Sequence, residues 1–243
     1  MFYHWQTSRS AECLAEFMPP DFKGTLQSDG YTAYGKFARS RGVSIELAGC
    51  WAHVRRKFYE AKAQSPQIAG FILRQIQLLY RVEKKLRHSK AGPRLREACR
   101  AAESKWIYQR IGALLRKLQE KARYLPSSSM GKAIQYAASN WTQLEVYLKD
   151  GRVEIDNNLV ENAIRPTALG KKNWMFFGEA KAGERSAILY TVIENCRRLD
   201  IDPYEYLRDI LSRLPSMTNW QVKDLVPRNW LKARRAKSLA QAA

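Results

Sequence analysis

Residues 24–48 read GTLQSDGYTAYGKFARSRGVSIELA. Two short extended runs bracket this stretch. Gly24 to Ser28 ends at the turn pair Asp29-Gly30, and Ser44 to Ala48 follows an alternating pattern set by Val43, Ile45 and Leu47. Just upstream, Met1 to Trp5 is short and aromatic-rich, which predicts a further strand. Ser10 is placed to cap a helix that aligns Leu14, Phe17 and Met18 and stops at Pro19-Pro20. Strand and helix alternate here, the signature of an α/β fold. Asp29 falls at the carboxyl end of a predicted strand, the edge of an open α/β sheet at which ligands bind. Taken alone, the position reads more simply as a turn residue whose side chain fixes the Gly30 backbone.

Beyond residue 57 the period changes. Phe71, Ile72, Leu78, Leu79, Val82 and Leu86 keep helical spacing, and Gly92-Pro93 breaks the run. Leu95, Cys99, Ala102, Trp106, Ile111, Leu114, Leu115, Leu118 and Ala122 resume it, so two long helices are expected. After Pro126 and three serines, Ile134, Ala137, Trp141, Leu144 and Leu148 predict one more amphipathic helix; these stripes read as packing faces. Asp150-Gly151 then marks a turn. Asp156 sits where an N-cap belongs, Asn157 to Arg165 is helical in composition, and Pro166 is expected to end that helix. Trp174 to Phe177 reads as a strand. Ala187, Ile188, Val192, Ile193, Cys196 and Leu199 form a helix face, and Asp202-Pro203 opens a last helix through Leu214, followed by a frayed tail with Lys232, Arg234, Arg235 and Lys237. The expected division is 1–57 and 150–214 as two parts of an α/β core, 58–149 as a helical insertion, and 215–243 as a basic tail. No repeat of solenoid period occurs.

Charge is unevenly distributed. The 243 residues carry 42 Lys and Arg against 23 Asp and Glu, a formal net charge of +19, and 45% are hydrophobic, which is ample for a folded core. Residues 1–54 hold 5 basic and 5 acidic side chains, whereas 55–150 hold 21 and 7. A folded polycation of this kind suits a nucleic-acid partner, because neutralised phosphates release condensed counterions. A solvated helix surface or an anionic-membrane patch has the same composition. No apolar run is long enough to span a bilayer, and the opening MFYHWQTSRS lacks the pattern of a secretory leader, so a chain that neither spans a membrane nor is secreted is expected. Cys13, Cys50, Cys99 and Cys196 form no C-x-x-C pair, which fits a reducing, cytoplasmic setting.

Several common sites are excluded by inspection. Gly178 and Gly183 have the spacing of a phosphate loop, but Glu184 stands where its lysine belongs; G-x-G-x-x-G and G-x-S-x-G are both absent. Cys50 with His53 is only half of a zinc set. The scarce acids are more informative. Glu161 lies in the predicted helix among Asn157, Asn158, Arg165, Lys171, Lys172, Asn173 and Trp174, groups that suit phosphates and bases. Hard carboxylate oxygens beside a nucleic-acid surface suggest Mg²⁺. Two such ions, held by carboxylates from separate elements, can clamp the attacking and leaving oxygens of a phosphodiester displacement. Asp29 and Glu161 are candidates for two of those ligands.

Three segments carry a resemblance. LQSDGYTAY at 26–34, GCWAHVRRKFYEA at 49–61 and DNNLVENAIRPTALGKKNWMFFGEAKAGERSAILYTVIENCRRLDIDPYEYLRDIL at 156–211 resemble the DDE transposases of the insertion-sequence-66 family. The middle of the chain resembles that family in length and character alone. The resemblance implies a ribonuclease-H-like core, interrupted by the basic α-helical insertion and incomplete at its amino-terminal strands. It implies two Mg²⁺ ions, with Asp29 as the second Asp of the triad and Glu161 as its Glu, both catalytic and metal-binding. His53, Arg55, Arg56, Lys57, Arg165, Lys171 and Lys172 would hold DNA phosphates, and Trp174 would pack or stack. Transposon ends and target DNA are the implied partners, in a multimer at the nucleoid.

The family's first Asp belongs to a strand preceding the segment that resembles Met1 to Arg9, and no acid occurs before Glu12. An amino-terminally truncated catalytic portion, inactive alone, is therefore expected. The alternative is a non-catalytic DNA-binding or regulatory remnant that associates with a full-length transposase. A basic helical protein that contacts RNA or lipid through residues 58–148 ranks behind both.

Overall fold

The computed structural model describes residues 1–42, 45–174 and 178–242. They form two compact units, residues 10–164 and residues 1–9 with 165–243.

The first unit opens with α1 (Ala11–Phe17), β1 (Gly24–Gln27), α2 (Thr32–Ser40) and β2 (Ile45–Ala48). β1 and β2 pair in parallel, with Leu26 opposite Leu47. A parallel pair needs a crossover, and α2 supplies it. Phe37, Ala38 and Ile45 are buried there against Leu14, Met18, Phe22 and Leu26. Among the described residues the sheet has these two strands only, so the chain is mostly helical.

Helices α3 (Trp51–Glu60), α4 (Pro66–His88), α5 (Pro93–Cys99), α6 (Lys105–Glu120), α7 (Ser129–Ser139) and α8 (Trp141–Lys149) build the main core. Trp51, Phe58, Ile72, Ile76, Leu79, Ile111, Met130, Leu144 and Ile155, the last beyond α8, are its largest fully buried apolar side chains. Trp51 donates through Nε1 to the Leu144 carbonyl at 3.1 Å. Gly112 is required by close approach, since a Cβ there would meet the Trp141 ring at 2.6 Å.

A five-residue π-helical segment, Arg100–Ser104, joins α5 to α6 and carries a fully buried guanidinium. Arg100 makes two bonds to Glu83, at 2.7 and 2.8 Å, and donates to the carbonyls of Tyr147, Asp150 and Val153. A buried charge survives only when paired and hydrogen-bonded throughout, and this one is. It fixes the chain leaving α8. Arg96 links Glu83 to Glu154, and Gln27 of β1 donates to the Glu154 carbonyl at 2.7 Å, so the segment before α9 (Asn158–Trp174) is tied to the sheet.

The second unit contains α10 (Ala180–Arg198), α11 (Pro203–Arg213) and α12 (Pro227–Ala242). Cys196, Ile201, Tyr206 and Trp230 form its buried cluster. Asp202 caps α11 by accepting from the Glu205 amide at 2.9 Å, as its Asp-Pro sequence predicts.

Five local expectations are corrected. Met1 to Trp5 is not a strand, because its backbone is met by side chains of α10: Thr191 accepts from the Tyr3 amide and Asn195 binds the Met1 ammonium and carbonyl. The long helix expected across Ile134 to Leu148 is two helices, with Asn140 closing α7 and opening α8 while its amide group donates to the Tyr136 carbonyl. Pro166 lies inside α9, since the loss of one amide donor is tolerated in a helix of 17 residues. Trp174 is the last residue of that helix, and the rest of the strand expected at 174–177 lies outside the described residues. The basic tail is not frayed at Lys232 to Arg235, where α12 is anchored by Trp230.

Candidate functional site

Asp29 lies two residues past the end of β1. The Ser28 amide extends the parallel ladder to the Ala48 carbonyl, and then Gly30 turns the chain at φ +82°, where a side chain would be strained. One Asp29 carboxylate oxygen accepts from the Tyr31 amide at 3.0 Å, whereas the Gly30 amide, expected to be fixed by Asp29, donates to the Ser28 hydroxyl at 3.3 Å. The other oxygen has no hydrogen-bond partner among the described residues. The loop is held from outside: Tyr136 of α7 donates to the Asp29 carbonyl at 2.6 Å, and a Cβ on Gly30 would lie 3.0 Å from Oδ1 of Asn140.

Glu161 sits in the first turn of α9, where a carboxylate complements the helix dipole. Asp156 anchors that turn. It is buried and accepts from the Asn158 amide, the Asn158 side chain and the Tyr80 hydroxyl, the last at 2.7 Å. Glu161 lies 3.5 Å from Nε2 of His53 on α3, and the other ring nitrogen of His53 is 3.2 Å from the Cys50 thiol. Burial pushes the Cys50 thiol up, partly offset by the facing amide of Asn157.

Tyr136 of α7 lies against the Asp29 turn. Burial raises its phenol first, and the charges of Cys50, Asp29 and Glu161 raise it further. The Tyr136 phenol therefore stays protonated and able to donate.

The other predicted residues divide. Arg55 and Arg56 are exposed on α3, with Arg56 engaged by Glu60 at 2.9 Å, and Lys57 is half-buried. Asn158 is committed to Asp156, while the Asn157 side-chain oxygen is buried without a partner. Arg165 and Asn173 are exposed on α9; the side chains of Lys171, Lys172 and Trp174 lie outside the described residues. Tyr136, Asn140, Tyr80 and Asp156 support the site without having been singled out for it. Of these only Asp156 carried a sequence signal, as a helix cap. No group of three or more His, Cys, Asp or Glu side chains that could hold a metal ion occurs among the described residues. None of the helices there is long and apolar enough to cross a membrane.

The profile described as "Transposase IS66 family" matches residues 1–185, and that of the "IS66 C-terminal element" matches 191–228. The chain belongs to the IS66 transposase family. Both carboxylates of the candidate site fall within the first match. Among the relatives of this IS66 chain are two proteins of Sinorhizobium fredii (strain NBRC 101917 / NGR234), each named only as uncharacterized. The protein y4jD is 37% identical over 248 residues, covering 99% of this chain and 47% of the relative. The protein y4qI is 34% identical over 237 residues, covering 94% and 43%. The IS66 chain thus spans less than half the length of these curated relatives. No solved structure matches it.

Proposed function

We propose that this chain contributes to DNA strand cleavage and joining in transposition, with Asp29 and Glu161 as metal-binding carboxylates of a ribonuclease-H-like site. The observation that carries this reading is the placement of Asp29 in a turn just past β1, held by the Tyr136 hydroxyl at 2.6 Å, together with a Glu161 that His53 meets at 3.5 Å. The β1–α2–β2–α3 succession supports it, since a parallel strand pair with Asp29 at the carboxyl end is where an open α/β sheet binds ligand.

The donor set fits Mg²⁺ in type. Asp29 keeps one oxygen without a protein partner and Glu161 is 44% exposed, so hard carboxylate oxygens are accessible. When bound, Mg²⁺ would supply charge stabilisation at the reacting phosphodiester oxygens. The chain's own residues do the rest. His53 orients Glu161, Tyr136 holds the Asp29 loop in register, and exposed Arg55 with Lys57 can take DNA phosphates. The expectations of DNA ends and target as partners, and of a multimer with full-length transposase, belong to this reading.

Isothermal titration of the chain with Mg²⁺, and with Mn²⁺ as a tighter probe, tests it. Asp29→Asn and Glu161→Gln are each expected to weaken metal binding at least tenfold. Unchanged binding in both would end the proposal. A second reading, a DNA-binding remnant without catalysis, is favoured by the lack of a three-ligand cluster among the described residues. It expects salt-sensitive DNA binding that neither substitution weakens, and no Mg²⁺-dependent nicking.

A further inference from the structure

We infer that the cleft between α3 and α4 binds an unpaired DNA strand and leads it to Glu161, an assignment that rests on the DNA-transfer reading above. The cleft has a volume of about 660 Å³. Its charged lining is entirely cationic: Arg55 on α3, Lys62 in the following turn and Arg74 on α4.

The sequence builds this wall by helical spacing. Ala52, Arg55 and Tyr59 fall at i, i+3 and i+7 and share one face of α3, while Gly70 and Arg74 are one turn apart on α4. The three cations are exposed, and none pairs with a carboxylate among the described residues. Arg56, their neighbour on α3, is by contrast neutralised by Glu60. An unneutralised row of cations facing a cleft is an anion site, and its length selects a polyanion. From Ala52 to Tyr59 α3 rises roughly 10 Å, which matches about three phosphates of a strand.

Tyr59 decides between strand and duplex. Its ring is 63% exposed at the cleft wall. An aromatic face standing in water beside cations is the arrangement on which unpaired bases stack, whereas the bases of a duplex are already stacked on one another. The cleft also ends in the right place. Asn158 lines it and lies three residues before Glu161 on α9, and Ala52 is adjacent to His53, whose ring meets Glu161. A strand lying along the cleft is thereby delivered beside Glu161.

Fluorescence anisotropy with the full chain tests this, using a labelled single strand of about 20 nucleotides and the matching duplex across a salt series. Lys62→Gln and Arg74→Gln are each expected to weaken single-strand binding severalfold and to reduce the salt slope by about 0.7. Tyr59→Ala is expected to cost about tenfold on the single strand and much less on the duplex. Arg116→Gln with Lys117→Gln, exposed on α6 away from the cleft, serves as the control for general charge, and melting curves check that each variant folds. Cleft variants that bind like the wild type, or a control pair that weakens binding as much, would overturn the assignment while leaving the DNA reading intact. A wild-type chain that binds neither oligonucleotide overturns both.

Discussion

The Tyr136 hydroxyl donates to the Asp29 backbone carbonyl at 2.6 Å across 107 residues of sequence. The bond joins a loop of the small sheet to a helix of the main core, and it places a hydroxyl kept protonated chiefly by burial directly behind the Asp29 turn. Tyr136→Phe removes only the donor and leaves a part-buried carbonyl unmet, so a loss of about 1 kcal/mol is expected. The local consequence is more diagnostic. Amide exchange at Gly30 and Tyr31 should accelerate well beyond that of the α4 core, as followed by hydrogen exchange and mass spectrometry. Equal protection in both proteins would show that Asn140 and the Gly30 turn hold the loop unaided.

Arg100 is the single buried cation of the helical core, and its three carbonyl partners fix the exit from α8. Arg100→Met leaves Glu83 buried with only Arg96 to pair it, and a cost of roughly 3–5 kcal/mol is expected from urea denaturation. Adding Glu83→Leu removes the stranded charge and should recover part of that loss. Recovery stays incomplete because the carbonyls of Tyr147, Asp150 and Val153 keep no donor. A single variant within about 1 kcal/mol of wild type contradicts this account.

The contrast between these sites explains what could be read in advance. The β1–β2 pair and the Asp29 turn follow from local alternation and a turn dipeptide, which act over a few residues. Glu161 was distinguished by its neighbours and by motif resemblance. Arg100 was not, because one arginine among 21 basic residues in a stretch looks like all the others until tertiary packing buries it. Tyr136 was equally silent, since a phenol on a helix face carries no sign of a partner 107 positions away. Pro166 follows the same logic: its local sequence favours a helix end, but the remaining hydrogen bonds of the 17-residue helix around it carry the chain through.

Glu154 gives stability a pH dependence with a definite sign. Burial pushes its carboxyl up, but the guanidinium groups of Arg87 and Arg96 more than offset this, leaving it below its ordinary value of 4.5. A carboxyl depressed in the folded state contributes stability that is fully present above 4.5 and is lost as pH falls through the lower, folded-state value. Urea unfolding of wild type and Glu154→Gln from about pH 6 to about pH 3 checks this. The wild-type profile should fall more steeply below 4.5 than that of the variant. Superimposable profiles would assign the acid lability to other carboxylates, such as Asp209 and Asp150, which are also depressed.

Trp230 tests whether the second unit has a core of its own. Its ring packs with Cys196, Ile201 and Tyr206, its Nε1 donates to Asp209 at 2.6 Å, and the Arg234 guanidinium lies 4.8 Å from the ring centroid. That indole bond is also the foremost cause of the depressed Asp209 carboxyl. Trp230→Ala removes the largest member of a four-residue cluster, and core truncations of this kind cost about 3–5 kcal/mol. The other apolar groups there, Val192, Leu199, Leu207, Ile210 and Leu231, are only partly buried, so α12 should loosen and become the first site of limited proteolysis. The core built on Trp51 and Ile72 shares no residue with the Trp230 cluster and should keep its exchange protection. Loss of protection in both cores together would mean that the two units unfold as one cooperative body.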